Sequence, residues 1–217
     1  MRYSHGLEYT VSKDGVAVLC GIGNCTDEHI VIPPEVDGFT VVGVENKAFY
    51  RSQIKSIELP SSVRFIRSQA FAWCRQLVEV KALNISEIGD RAFMGCDKLL
   101  NISFGNRLES IGQKSFAYCP SLLSIALPNS LTRLGSASFE GCRNLERICL
   151  SDNISIIENG TFYACGNLRQ IIFPSKLEFI DEFAFAYCTS LSKLEFPKNT
   201  VVNRDAFFEC AVTVKVS

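Results

Sequence analysis

Ile111-Gly112-Gln113-Lys114-Ser115-Phe116-Ala117-Tyr118-Cys119-Pro120-Ser121-Leu122-Leu123-Ser124-Ile125-Ala126-Leu127-Pro128 is the stretch that decides the fold. It returns along nearly the whole chain. Its Phe116 is one of eight phenylalanines, Phe49, Phe71, Phe93, Phe116, Phe139, Phe162, Phe185 and Phe207, spaced by 22, 22, 23, 23, 23, 23 and 22 residues. A fixed period in this range marks a solenoid, in which each repeat is one structural rung.

Other columns keep the same register. Three residues after the Phe stands cysteine, at Cys74, Cys96, Cys119, Cys142, Cys165, Cys188 and Cys210. Leucine follows three later, as Leu77, Leu99, Leu122, Leu145, Leu168 and Leu191. An aliphatic precedes each Phe by five, from Val44 and Ile66 to Ile180 and Val202. The unit reads I-x-x-x-[AST]-F-x-x-C-x-x-L-x-x-I-x-[LF], often followed by proline. Its L-x-x-I-x-L part is a leucine-rich-repeat strand signature. The last two aliphatics are two apart and share one face, with the residue between them facing out. The A-F-x-x-C-x-x-L part has three-residue spacing, which predicts a short helical or 3₁₀ turn.

One rung cannot bury these columns alone, but stacked rungs can. The expected fold is therefore an α/β solenoid. It is a right-handed leucine-rich-repeat superhelix with a parallel β-sheet on one face and short helical or 3₁₀ turns on the other. Burying each Phe contributes roughly 1.5–3 kcal/mol, so the eight form the expected spine.

The unit resembles the BspA-like leucine-rich-repeat family and its I-G-x-x-A-F-x-x-C-x-x-L-x-x-I-x-L-P signature, as at Ile88-Gly89-Asp90-Arg91-Ala92-Phe93-Met94-Gly95-Cys96. The likeness covers about residues 41–217. It implies a binding role, commonly as a secreted or surface adhesin, and carries over no catalytic residue.

The 217 residues carry a net charge of −1 and are 47% hydrophobic, enough for one continuous core. No basic excess points to nucleic acid or an anionic membrane. The apolar runs are too short to span a bilayer. The start, Met1-Arg2-Tyr3-Ser4-His5-Gly6, lacks the apolar core of a signal peptide, so the sequence leaves the compartment open.

Residues 1–40 depart from the repeat. Tyr9-Thr10-Val11 and Val16-Ala17-Val18-Leu19 flank Ser12-Lys13-Asp14-Gly15 and predict a β-hairpin cap. Ile30-Val31-Ile32-Pro33 imitates a repeat strand, and Asp37-Gly38 turns the chain into the array of about eight repeats at 41–217. At the far end Val212, Val214 and Val216 alternate as a strand, an edge open to self-association.

Seven cysteines in a straight file do not converge as a zinc site requires. They read as buried small hydrophobes. In the cap, Cys20, Cys25 and His29 form C-x₄-C-x₃-H, which fits the start of a zinc site, a disulfide, or one core and one loop cysteine. The only histidines are His5 and His29, and no phosphate-binding loop is present. Neither an enzyme nor a cofactor is expected.

The outward strand positions form the candidate site. Their middle rows are Ser124, Arg147, Gln170 and Ala126, Cys149, Ile172, an apolar centre within a polar rim. A protein partner on a concave sheet is the expected ligand. A second candidate is the turn side, where Tyr50, Trp73, Tyr118, Tyr163, Tyr187 and Phe208 cluster beside the ladder, either as a contact surface or as cover for the core edge.

Overall fold

The computed structural model describes residues 3–216; Met1, Arg2 and Ser217 lie outside it. The chain winds as a β-solenoid whose rungs each contribute two strands to parallel ladders. One ladder runs on the L-x-x-I-x-L segments. The other runs on two-residue strands such as Phe65–Ile66, Glu87–Ile88 and Ser110–Ile111, built on the aliphatic five residues before the Phe.

The N-terminal strands belong to both ladders. β1 (Glu8–Val11) and β2 (Val16–Gly21) form an antiparallel hairpin closed at Ser12–Gly15, where the Gly15 N–H donates to the Ser12 carbonyl at 3.1 Å. β2 then pairs in parallel with β5 (Phe39–Val44), which opens the second ladder. β3 (His29–Val31) pairs in parallel with Ser56–Glu58 and opens the first. Between them, β4 (Glu35–Val36) returns onto β5 through Asp37 and Gly38, at φ 50° and 80°. Two positive φ values in a two-residue loop match the right-handed twist of paired strands, which is why Asp-Gly stands there.

The expected helical or 3₁₀ turns are not formed. The structure has no helix among the described residues, and the Phe-to-Cys segment is a chain of turns with alternating donors. The N–H groups of Ala70, Ala72 and Cys74 bond three residues back within the rung, to Arg67, Gln69 and Phe71. Those of Gln69, Phe71 and Trp73 bond the next rung, at Asp90, Ala92 and Met94, over 2.7–2.9 Å. Residues two before and two after the Phe adopt left-handed φ, as at Gln69 (57°) and Trp73 (62°) or Lys114 (54°) and Tyr118 (58°). Each such residue reverses the local hand, so successive turns cannot wind into a helix and half their donors are free for the neighbouring rung.

The core is one cluster running the length of the array. The eight ladder phenylalanines form an unbroken stack, with centroids 5.1–5.6 Å apart and planes within 14° of parallel. Seven of them are fully buried, and Phe207 at the end is partly buried. The glycines after the first aliphatic serve close approach rather than a special φ. A Cβ on Gly135 would sit 2.7 Å from the Gln113 nitrogen of the rung below.

The first ladder is interrupted on both sides of a central three-stranded unit, Ser124–Ala126, Arg147–Cys149 and Gln170–Ile172. The earlier interruption coincides with the first 23-residue step, Phe93 to Phe116. The extra residue falls after the strand, between Phe104 and Ile111.

Phe116→Ala is expected to cost about 3–5 kcal/mol, because the rings above and below hold the space open. Phe207→Ala, at the half-buried end, should cost less. Chemical denaturation midpoints of the two variants test this, and equal small shifts would reject the stack as the spine.

Candidate functional site

All six predicted outward residues are brought together on the central three-stranded unit. Ser124, Arg147 and Gln170 are direct cross-strand partners, and so are Ala126, Cys149 and Ile172. Alternation along each strand puts the six on the outer face while Ile125 and Ile148 point into the core, 6% and 3% exposed. Neighbouring rows are about 4.8 Å apart and the two columns about 7 Å apart along the strand. The six, with the edges of Ile125 and Ile148, line a shallow depression of about 260 Å³. Ile172 is 54% exposed at its margin, and Cys149 is exposed at its centre.

The flanking N-terminal rungs differ. There the outer face is tied by polar pairs between rungs: Glu28 with Lys55, His29 Nδ1 with Ser56 Oγ at 2.8 Å, and Glu58 with Lys81 at 3.5 Å. Leu100 and Leu123, 44% and 52% exposed, add apolar surface just before the strands at Asn101 and Ser124. Sequence reasoning missed both. Their signal was the position directly after the buried leucine, where the chain bends and two consecutive side chains face solvent.

The ladder cysteines are structural. Each Sγ donates to the carbonyl of the preceding rung's Phe: Cys74 to Phe49 at 2.9 Å, Cys119 to Phe93 at 3.2 Å, Cys142 to Phe116 at 3.0 Å and Cys188 to Phe162 at 3.0 Å. Burial pushes the Cys74 thiol up to about 11 and raises Cys96, Cys142 and Cys165 well above the ordinary value. Ser52, which replaces cysteine in the first rung, instead bonds Cys74 Sγ at 3.3 Å. All ten cysteines stand as free thiols in the structure, Cys20 and Cys25 among them. Those two and His29 are not gathered into a metal-holding group; no cluster of three or more His, Cys, Asp or Glu side chains among the described residues is.

The repeat model described as the BspA type leucine-rich repeat region matches residues 42–96 and 86–213, in six copies. The chain belongs to the BspA-type leucine-rich-repeat family. Among solved structures, this BspA-type chain is similar to a leucine-rich repeat protein of T. pallidum. The two share 32% identity and a TM-score of 0.82 over 86% of this chain and 88% of that one. A leucine-rich repeat protein of Eubacterium ventriosum shares the fold at 22% identity and a TM-score of 0.58, over 94% of this chain and 50% of that one. No curated protein matches the sequence. The family points to protein interaction, and no enzymatic family is indicated. No helix among the described residues is long and apolar enough to cross a membrane.

On the turn side of the BspA-type array the aromatic column splits. The Trp73 ring lies on Gly95 and the Tyr118 ring on Gly141, where a Cβ would come within 2.3 and 2.7 Å of ring carbons. The Tyr118 hydroxyl donates to the Glu140 carboxylate, which also holds Lys114 Nζ at 3.0 Å. That hydrogen bond, ahead of desolvation, pushes the Tyr118 phenol up to about 12.

Two outcomes follow. Cys149 should react first with an aromatic disulfide reagent at neutral pH, and the buried ladder thiols only on unfolding. A fast phase that survives Cys149→Ser would overturn this. Tyr118 should stay protonated at pH 11, and Glu140→Gln should lower its pKa toward 10, read by phenolate absorbance. Because the folded pKa is raised, the contribution of this contact to stability is full below pH 10. It is lost as pH rises through about 12.

Proposed function

We propose that the chain is a non-catalytic protein-binding module that engages its partner through the outward face of the central strands. The observation that carries the reading is the exposed apolar row Ala126, Cys149, Ile172, flanked by the polar row Ser124, Arg147, Gln170. An apolar centre with a hydrogen-bonding rim is the composition of a protein interface, and a rigid two-ladder scaffold presents it with little ordering cost. Arg147 stands at the middle of the polar row, where its guanidinium can take a carboxylate in bidentate fashion. The family resemblance extends the reading to a surface adhesin that recognises host or neighbouring-cell proteins.

A second reading is self-association through the end of the array. It is favoured by the strand Thr213–Val216, which pairs in parallel with Lys193–Phe196 and leaves its outer edge unpaired among the described residues. Val212 is partly buried against the core; the side chains of Val214 and Val216 lie outside the described set. Pairing at such an edge would extend the first ladder into a second copy.

Affinity capture with the wild type and an Ala126→Arg/Ile172→Glu variant of unchanged melting temperature separates these readings. Capture of a partner by the wild type, reduced at least about tenfold in the variant, is the outcome expected of a hot spot at the apolar row. Equal capture by both would remove the central strands as the binding surface. A mass that rises with concentration in light scattering would instead support assembly.

A further inference from the structure

The turn side of the last three rungs holds a second depression, of about 420 Å³. It is lined by Tyr163, Phe183, Tyr187, Phe208 and Asp205. The four rings meet edge to face. Tyr163 and Tyr187 are 5.4 Å apart at 72°, Tyr187 and Phe208 5.6 Å at 74°, and Phe183 and Phe208 6.3 Å at 89°. Unlike Trp73 and Tyr118, whose rings lie on a glycine of the next rung, these rings border open space, and Tyr187 and Phe208 are 40% and 43% exposed. Near-perpendicular rings around a hollow present π faces to it from more than one direction.

We propose that this depression binds a quaternary ammonium group. The charge around it selects a cation. The turn segments 181–188 and 203–210 carry four carboxylates, Asp181, Glu182, Asp205 and Glu209, against one guanidinium, Arg204. Ring faces attract cations through their quadrupole. Hydrogen-bonding capacity then selects the kind of cation. A primary ammonium brings three N–H donors that need acceptors. The lining supplies one carboxylate, and its Oδ2 already accepts from Arg204 Nε at 3.0 Å. A quaternary ammonium has no donors, is bounded by methyl groups, and asks only for π faces and diffuse negative charge. The Arg204 side chain is 90% exposed, so it neutralises part of Asp205 without filling the hollow.

Titration of the full chain with tetramethylammonium chloride at constant ionic strength, followed by ring-proton NMR, tests the assignment. Saturable shifts are expected at the four rings, with the Trp73 indole unmoved. Neopentyl alcohol, the uncharged counterpart of the same shape, should bind at least about tenfold more weakly, and methylammonium should also be weaker. Phe208→Ala should weaken tetramethylammonium by about tenfold, and Asp205→Asn should weaken it to a smaller extent. No saturable shift, equal binding of neopentyl alcohol, tighter binding of methylammonium, or unchanged affinity in both variants would each overturn the proposal. If Phe208→Ala loses its melting transition, Asp205→Asn with the neutral probe carries the test.

Discussion

The backbone carbonyl of the ladder phenylalanine is where the structure is tied together. It accepts an S–H from the next rung, as the Phe116 oxygen does from Cys142 at 3.0 Å, and where the turn closes it also accepts an N–H from its own rung. The Phe71 oxygen shows both bonds in full, from Cys74 N at 3.1 Å and Cys96 Sγ at 3.2 Å. A carbonyl has two lone pairs, and in a dry interior an unfilled one weakens the fold. Cysteine fits this position because it fills volume as a hydrophobe and still offers a weak donor. The same carbonyl fixes the spacing at which the next Phe ring must stack, so hydrogen bonding and aromatic packing set one common rung height.

Much of this was legible in the sequence because a solenoid writes its cross-section repeatedly. The eight Phe positions and the cysteine file gave rung count and register, and the L-x-x-I-x-L alternation gave the first ladder with its inward and outward residues. The turn segment was misread as helical because its local bonds do run three residues back, from Ala72 to Gln69 and from Cys74 to Phe71. Residue spacing does not reveal that the intervening donors leave the rung. That depends on left-handed φ at residues such as Gln69, Trp73 and Arg91, none of them glycine. The second ladder was invisible for another reason: a two-residue strand such as Glu87–Ile88 is too short to show alternation.

The outward face was readable from the same alternation, down to the cross-strand rows of Ala126, Cys149 and Ile172. The interruption of the first ladder on either side of them was not, since hydrogen bonding between rungs leaves no mark on side-chain type. On the turn side, aromatic composition marked Tyr163, Tyr187 and Phe208 but not Phe183. Phe183 lies two residues before the spine residue Phe185, in a column filled elsewhere by Gln69, Arg91 and Lys114. Only the backbone geometry shows that this column and the one four residues on edge the same groove.

The cysteine file also bears on chemistry beyond folding. Thiol–disulfide exchange runs through the thiolate. Thiols whose pKa is lifted by burial, and whose protons are committed to Phe carbonyls, offer almost none at neutral pH. The buried cysteine ladder is therefore insulated from the redox poise of its surroundings, whereas Cys149 on the outer face is open to it. The array can stand in a reducing cytosol or an oxidising exterior with the same interior, and its cysteine count carries no information about which of the two it occupies.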